Sequence, residues 1–196
     1  MNTAALRWIT DFGDSGVTMP LALLLIALLW FAESRRAAWL LARALFACVA
    51  LLMALKIVFL SCGHVFRLGV ESPSGHACLT TFVYGAIATV VWAQPRPVLR
   101  RIAVLLAVVI IVSVAITRVL LGAHTPQEVV LGCLAGALAL AVFVQAYRKL
   151  AHPVIRIRQL AVLLGAAFVV SYGTVLPAEH YLRKTVPWLQ IGVCRA

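Results

Sequence analysis

Long apolar runs, each cut off by a short polar break, set the reading of this chain. Stretches of such length and uniform hydropathy predict membrane-spanning helices, since about 20 apolar residues cross the hydrocarbon core. The pattern places six spans, at about 17–32, 37–60, 76–93, 102–121, 126–147 and 157–175. Residues 1–16 mix Leu6, Trp8, Ile9 and Phe12 with polar neighbours, which predicts a short interfacial segment. Asp14 or Ser15 is expected to cap the first span, and Pro20 lies near its start. Gln94-Pro95-Arg96-Pro97 breaks the chain after the third span, and Gly122 is placed to end the fourth. Residues 177–196 read as a polar tail with Trp188 as an interface anchor. The fold class is therefore all-α: one domain, a polytopic bundle of about six transmembrane helices with an N-terminal interfacial segment.

Composition strengthens this picture. Of 196 residues 64% are hydrophobic and 12% charged, with mean hydropathy +1.04. A soluble domain of this size cannot hide so much apolar surface. The net charge of +11 raises nucleic acid as a partner, but the basic residues lie in short loops between apolar runs and read as topology signals. The partner expected is the lipid bilayer, with no nucleic acid, and nothing in the residues reports an oligomeric state. Ten of the 17 Lys and Arg flank the breaks after spans one, three and five, from Arg35 and Arg36 to Arg156 and Arg158. The positive-inside rule puts that face in the cytoplasm and the other, with both termini, outside. The five Cys lack metal-ligand spacing. Cys48 and Cys133 fall within apolar runs, whereas a disulfide among Cys62, Cys78 and Cys194 is left open.

Against this apolar background one polar sextet stands out, Glu71-Ser72-Pro73-Ser74-Gly75-His76. Ser72 is expected to cap the third span with Pro73 at its first position. That would turn the amides of Ser74, Gly75 and His76 into a positive helix end suited to phosphate. Imidazole, as in His76, gives or takes a proton near neutral pH. If the spans alternate, the loop Thr117–Glu128 and the outer end of span two, with Lys56, share this face. Lys56, Ser74, Gly75, His76, Arg118, His124 and Glu128 then form a phosphate pocket with acid–base groups. Ionisable residues at membrane depth are functional candidates by default. Each also has a plainer reading. Lys56 and Arg118 can snorkel to headgroups. Glu128 can complete a capping box with Thr125.

These segments resemble the three signature motifs of the type-2 phosphatidic acid phosphatase superfamily of integral-membrane lipid phosphatases. Pro73-Ser74-Gly75-His76 matches its PSGH motif. Arg118 and His124 match SRxxxxxHxxxD in spacing, with Thr117 in place of Ser and Glu128 in place of Asp. The KxxxxxxRP motif is matched at Lys56, but Gly63-His64 stand at its Arg-Pro positions, leaving Arg67 as the substitute. The resemblance implies a phosphatase without metal or cofactor. His124 would be the nucleophile and form a phosphohistidine, Glu128 would orient it, and His76 would protonate the leaving oxygen. Lys56, Arg67, Arg118, Ser74 and Gly75 would bind phosphate. The implied substrate is a lipid phosphate or diphosphate: a polyprenyl diphosphate, a phosphatidate or phosphatidylglycerophosphate, or a lipid A phosphate. The implied location is a bacterial inner membrane with the site facing the periplasm. A lipid phosphotransferase using the same site, and a non-catalytic carrier or scramblase, are the alternatives.

Overall fold

A computed structural model of the chain describes residues 3–32, 34–66, 70–150 and 157–174; the side chains of 62–66 and 157 are not described. Seven α-helices and no strand occur among the described residues. They are α1 (Thr3–Thr10), α2 (Ser15–Phe31), α3 (Arg35–Phe66), α4 (Gly75–Trp92), α5 (Pro97–Leu120), α6 (Pro126–Tyr147) and α7 (Ile157–Ser171), with a 3-10 turn at Asp11–Gly13 between α1 and α2.

Five segments are long and apolar enough to cross a bilayer: Thr3–Phe31, Arg35–Ser61, Gly75–Trp92, Pro97–Leu120 and Pro126–Tyr147. In lipid a helix satisfies its own backbone groups, which is why such runs fold this way. The sixth expected span is the shorter helix α7, of 15 residues. At 1.5 Å per residue it reaches about 22 Å, short of the roughly 30 Å hydrocarbon core. It ends at Ser171, and Gly173 just beyond takes φ of 82°, which no continuing helix adopts.

α4 is the centre of the bundle. Of its membrane window 61% is buried, against 17% for α5. It packs on α5 and α6 most closely, and also on α2 and α3. Phe82, Val90, Leu25, Leu29 and Phe143 fill the core. The outward faces of α5 and α6, with Leu105, Val109, Leu134 and Val142 exposed, are as apolar as the interior. Such surface suits lipid, not water. The threonines of α4 return their hydroxyls to their own helix, Thr80 to the His76 carbonyl at 2.6 Å and Thr81 to that of Ala77 at 2.7 Å. No polar side-chain group of these residues is then left to the apolar surroundings.

α4 approaches α6 closely because Gly132 and Gly136 sit at the crossing. A Cβ on Gly132 would collide with the Ser74 carbonyl oxygen, and one on Gly136 with that of Cys78. This small-xxx-small stripe lets two backbones touch. It sets the height of the α4 start against the α6 start.

The first span begins as its sequence suggests and departs from it one turn later. Asp14 is the N-cap of α2, its Oδ1 accepting the Gly16 amide at 2.7 Å. Pro20 lies beyond the first turn and has no N–H for the Gly16 carbonyl. Thr174, just past α7, packs against this end of α2: its hydroxyl lies 3.3 Å from the Gly16 carbonyl oxygen and donates to the nearer Ser171 carbonyl of its own turn. The N-terminal segment, expected to be interfacial, runs into the first long apolar segment Thr3–Phe31 and is tied down by a contact at the end of α7. Trp8 is exposed, yet its carbonyl accepts from the Tyr172 hydroxyl at 2.8 Å.

The cysteines are arranged differently from the open disulfide. Cys78 lies against Cys48 on α3, with Sγ–Sγ 3.6 Å, and Cys48, Cys78 and Cys133 are free thiols. The Cys62 side chain, Cys194 and the tail 177–196 lie outside the described residues.

Candidate active site

The starts of α2, α4 and α6 and the C-terminal end of α5 lie at one end of the bundle. Three positive helix ends therefore point the same way, which favours an anion there. Each local turn that builds this end has a reason in the sequence.

α5 finishes in a Schellman motif. The Gly122 amide bonds to the Val119 carbonyl at 2.9 Å and the Ala123 amide to the Arg118 carbonyl at 3.1 Å. Gly122 takes φ of 63°, a left-handed conformation that glycine adopts without strain. The His124 amide also reaches the Arg118 carbonyl, at 3.3 Å. The turn thus places His124 directly over the end of the helix that carries Arg118.

α6 then starts with Thr125 as N-cap and Pro126 in its first turn. Both halves of a capping box are present. The Glu128 amide donates to Thr125 Oγ1 at 3.4 Å, and the Thr125 amide donates to Glu128 Oε2 at 3.1 Å. The same Oε2 lies 2.8 Å from His124 Nδ1. Glu128 Oε1 accepts the amides of Glu71 and Ser72, at 2.8 and 2.9 Å. The two readings of Glu128, cap and orienting carboxylate, are therefore one arrangement. Four donors surround a buried carboxylate, each hydrogen bond to a charged group worth about 1.5–3 kcal/mol.

The sextet loop is held from both sides. Lys56 Nζ donates to Ser72 Oγ at 2.9 Å, and the Ser74 amide donates to the Glu128 carbonyl at 3.0 Å. These bonds change the expected helix start. Ser72 precedes proline and stays outside the helix, its hydroxyl and amide already engaged. Ser74 is the N-cap in its place, its Oγ accepting the Ala77 amide at 3.4 Å, and α4 begins at Gly75. The Ser74 amide is consequently taken. The amides of Gly75 and His76 are the ones at the open helix end, where no intrahelical acceptor exists.

Lys56 is 4% exposed and His124 6%, so neither is a snorkelling or loop residue on the surface. Lys56 lies beside the start of α4: a Cβ on Gly75 would sit 3.7 Å from its Cε. His76 is more open, with 24% of its side chain exposed, and its Nε2 is 3.5 Å from Asp14 Oδ2. Arg118 Nη1 donates to Thr10 Oγ1 at 3.4 Å. Arg67 lies outside the described residues. No group of three or more His, Cys, Asp or Glu with metal-site proximity occurs among the described residues.

The structure thus gathers Lys56, Ser74, Gly75, His76, Arg118, His124 and Glu128 at one end. It adds partners the sequence reading left out: Ser72 for Lys56, and Thr10 and Asp14 from the N-terminal segment. The available signal for Asp14 was its rarity, as one of six carboxylates in the chain, at the mouth of an apolar run.

Comparison with known proteins points the same way. Residues 61–152 match the model of the PAP2 superfamily. Over 147 residues the chain is 31% identical to an uncharacterized 22.5 kDa protein in the cps region of Klebsiella pneumoniae, covering 74% of this chain and 70% of that protein. No solved structure matches the chain significantly.

Proposed function

This chain is a membrane protein that belongs to the PAP2 superfamily, a family of phosphatases, and on that premise we propose that it hydrolyses a lipid phosphate or diphosphate through a phosphohistidine. The observation that carries this reading is the contact of 2.8 Å between His124 Nδ1 and a Glu128 carboxylate that also grips the sextet loop.

With Glu128 accepting from Nδ1, the lone pair of His124 stands on Nε2, which attacks phosphorus. The bond from phosphorus to the leaving oxygen breaks, and His76 gives that oxygen a proton. The charge that shifts onto the equatorial oxygens meets Lys56, Arg118 and the amides of Gly75 and His76. Water then attacks the phosphohistidine, His76 takes up its proton, and phosphate leaves with His124 restored. Ser74 serves in this scheme as the cap that fixes the loop. Arg67 is a further candidate phosphate ligand.

The membrane setting favours an amphiphile whose tail stays in the bilayer while its phosphate enters the polar end. Polyprenyl diphosphates, phosphatidate or phosphatidylglycerophosphate, and lipid A phosphates fit that description. The opposite end of the bundle carries Arg35, Arg36, Arg100, Arg101, Arg148 and Lys149. The positive-inside rule assigns that end to the cytoplasm and the site to the outer face, periplasmic in a bacterial inner membrane.

The test is phosphate release by the purified protein in detergent over a panel of these lipids, with quenching of a radiolabelled reaction in SDS at alkaline pH. Release together with an acid-labile, base-stable phosphoenzyme is expected. A protein that releases no phosphate from any of them is not the proposed enzyme.

A further inference from the structure

The N-terminal segment reaches the expected site residues twice, although it lies outside the residues 61–152 that match the family. Thr10 Oγ1 accepts from Arg118, and Asp14 Oδ2 stands 3.5 Å from His76 Nε2. Asp14 is 4% exposed. Its place is well determined by packing. Gly13 sits so close to α4 and α5 that a Cβ there would lie 2.6 Å from Thr80 Oγ1, 2.7 Å from Val114 Cγ1 and 3.2 Å from His76 Cβ. The Tyr84 hydroxyl donates to the Phe12 carbonyl at 3.0 Å.

Capping alone does not account for a carboxylate at this position. An N-cap needs one oxygen, and Ser or Asn supplies it about as well. Asp14 spends Oδ1 on the cap and turns Oδ2 to His76. An acceptor on one ring nitrogen fixes the orientation of an imidazole and the role of its other nitrogen. A general acid must hold its proton until the leaving oxygen needs it.

We propose that Asp14 is a positioning residue for His76: it accepts from Nε2, fixes the ring and leaves the Nδ1 proton for the leaving oxygen. The inference rests on the phosphatase reading of His76. It makes the N-terminal segment part of the catalytic end. Each histidine of the pair then has its own carboxylate, Glu128 for the nucleophile and Asp14 for the acid. The proton balance is unchanged, since Asp14 stays ionised while His76 loses its Nδ1 proton to the leaving alkoxide and regains it from water.

The experiment compares wild type with Asp14→Asn in detergent on two phosphomonoesters, phosphatidate and p-nitrophenyl phosphate. Asn keeps the cap oxygen and removes the charge. An alkoxide needs a proton as it leaves and p-nitrophenolate does not, so the expected loss is about 10- to 100-fold on phosphatidate and under about threefold on the aryl ester. Asp14→Ser, which also caps, should show the same split if the Asn variant fails to fold. In a His76→Gln background Asp14→Asn should add little further loss on phosphatidate. An equal loss on both esters, or a loss that persists undiminished without His76, overturns the inference and leaves the phosphatase reading intact. Should another lipid monophosphate of the panel be the better substrate, it takes the place of phosphatidate, and wild-type protein that releases phosphate from neither the aryl ester nor any lipid of the panel overturns both.

Discussion

Glu128 and His124 form a single buried unit, with Oε2 2.8 Å from Nδ1 and the other carboxylate oxygen bonded to the amides of Glu71 and Ser72. One side chain therefore orients the expected nucleophile, caps its helix and clamps the loop that precedes α4. Glu128→Gln cannot do all three, because its amide nitrogen must face a donor on one side or the other. Turnover should fall at least about a hundredfold from lost control of the imidazole. Thermal stability should fall with it, by about 1.5–3 kcal/mol for each charged hydrogen bond left unmade. Paired rate and melting measurements check this. A variant that melts early but turns over normally would leave the carboxylate as a cap and clamp alone.

His124→Ala removes the attacking nitrogen and leaves the Schellman turn, which is built from backbone groups. Phosphate release should vanish while the protein still folds, its stability lowered by no more than the one lost hydrogen bond to Glu128, about 1.5–3 kcal/mol. Wild-type-like release from this variant ends the phosphohistidine mechanism.

Lys56→Met keeps the apolar stem and deletes the cation beside Gly75. The proposed role in transition-state charge predicts a fall in kcat/KM of about 10²–10³-fold, the scale of one lost oxyanion donor. Ser72→Ala removes only the acceptor of the Lys56 hydrogen bond and should lose much less. Steady-state kinetics on the same lipid phosphate separate the two.

Gly132→Val pushes a branched side chain into the Ser74 carbonyl. It should lower both stability and turnover, because it forces the α4 start away from Glu128. Gly165→Ala on α7 meets nothing within 4 Å and serves as the contrast. There the change should be neutral or stabilising by about 0.5–1 kcal/mol. Melting of the two variants, with activity on the same samples, tests whether the glycine stripe is part of the site.

Chelation is a further check on the chemistry. The proposed cycle uses imidazole, carboxylate, cations and backbone amides, so activity should survive dialysis against EDTA. A loss restored by one added divalent metal would require a different mechanism.

Much of this arrangement is local and was legible from spacing alone. The apolar runs set the helices, Gly122 marks the end of α5, and Thr125-Pro126-Gln127-Glu128 marks a capping box, because each rests on bonds within one or two helical turns. The span order brings the three motif segments to one end by simple alternation. What the tertiary structure decided is which side chains meet across helices. Ser74, not Ser72, caps α4, because the 72–74 backbone is claimed by Glu128, a residue 56 positions from Ser72. Asp14 meets His76, and Thr174 comes to lie beside the Gly16 carbonyl that Pro20 cannot bond. Such contacts depend on the rotation and height of one packed helix against another. Those are set by close approach at small residues such as Gly132, and the chemical sameness of the apolar runs carries no record of them in the linear order of residues.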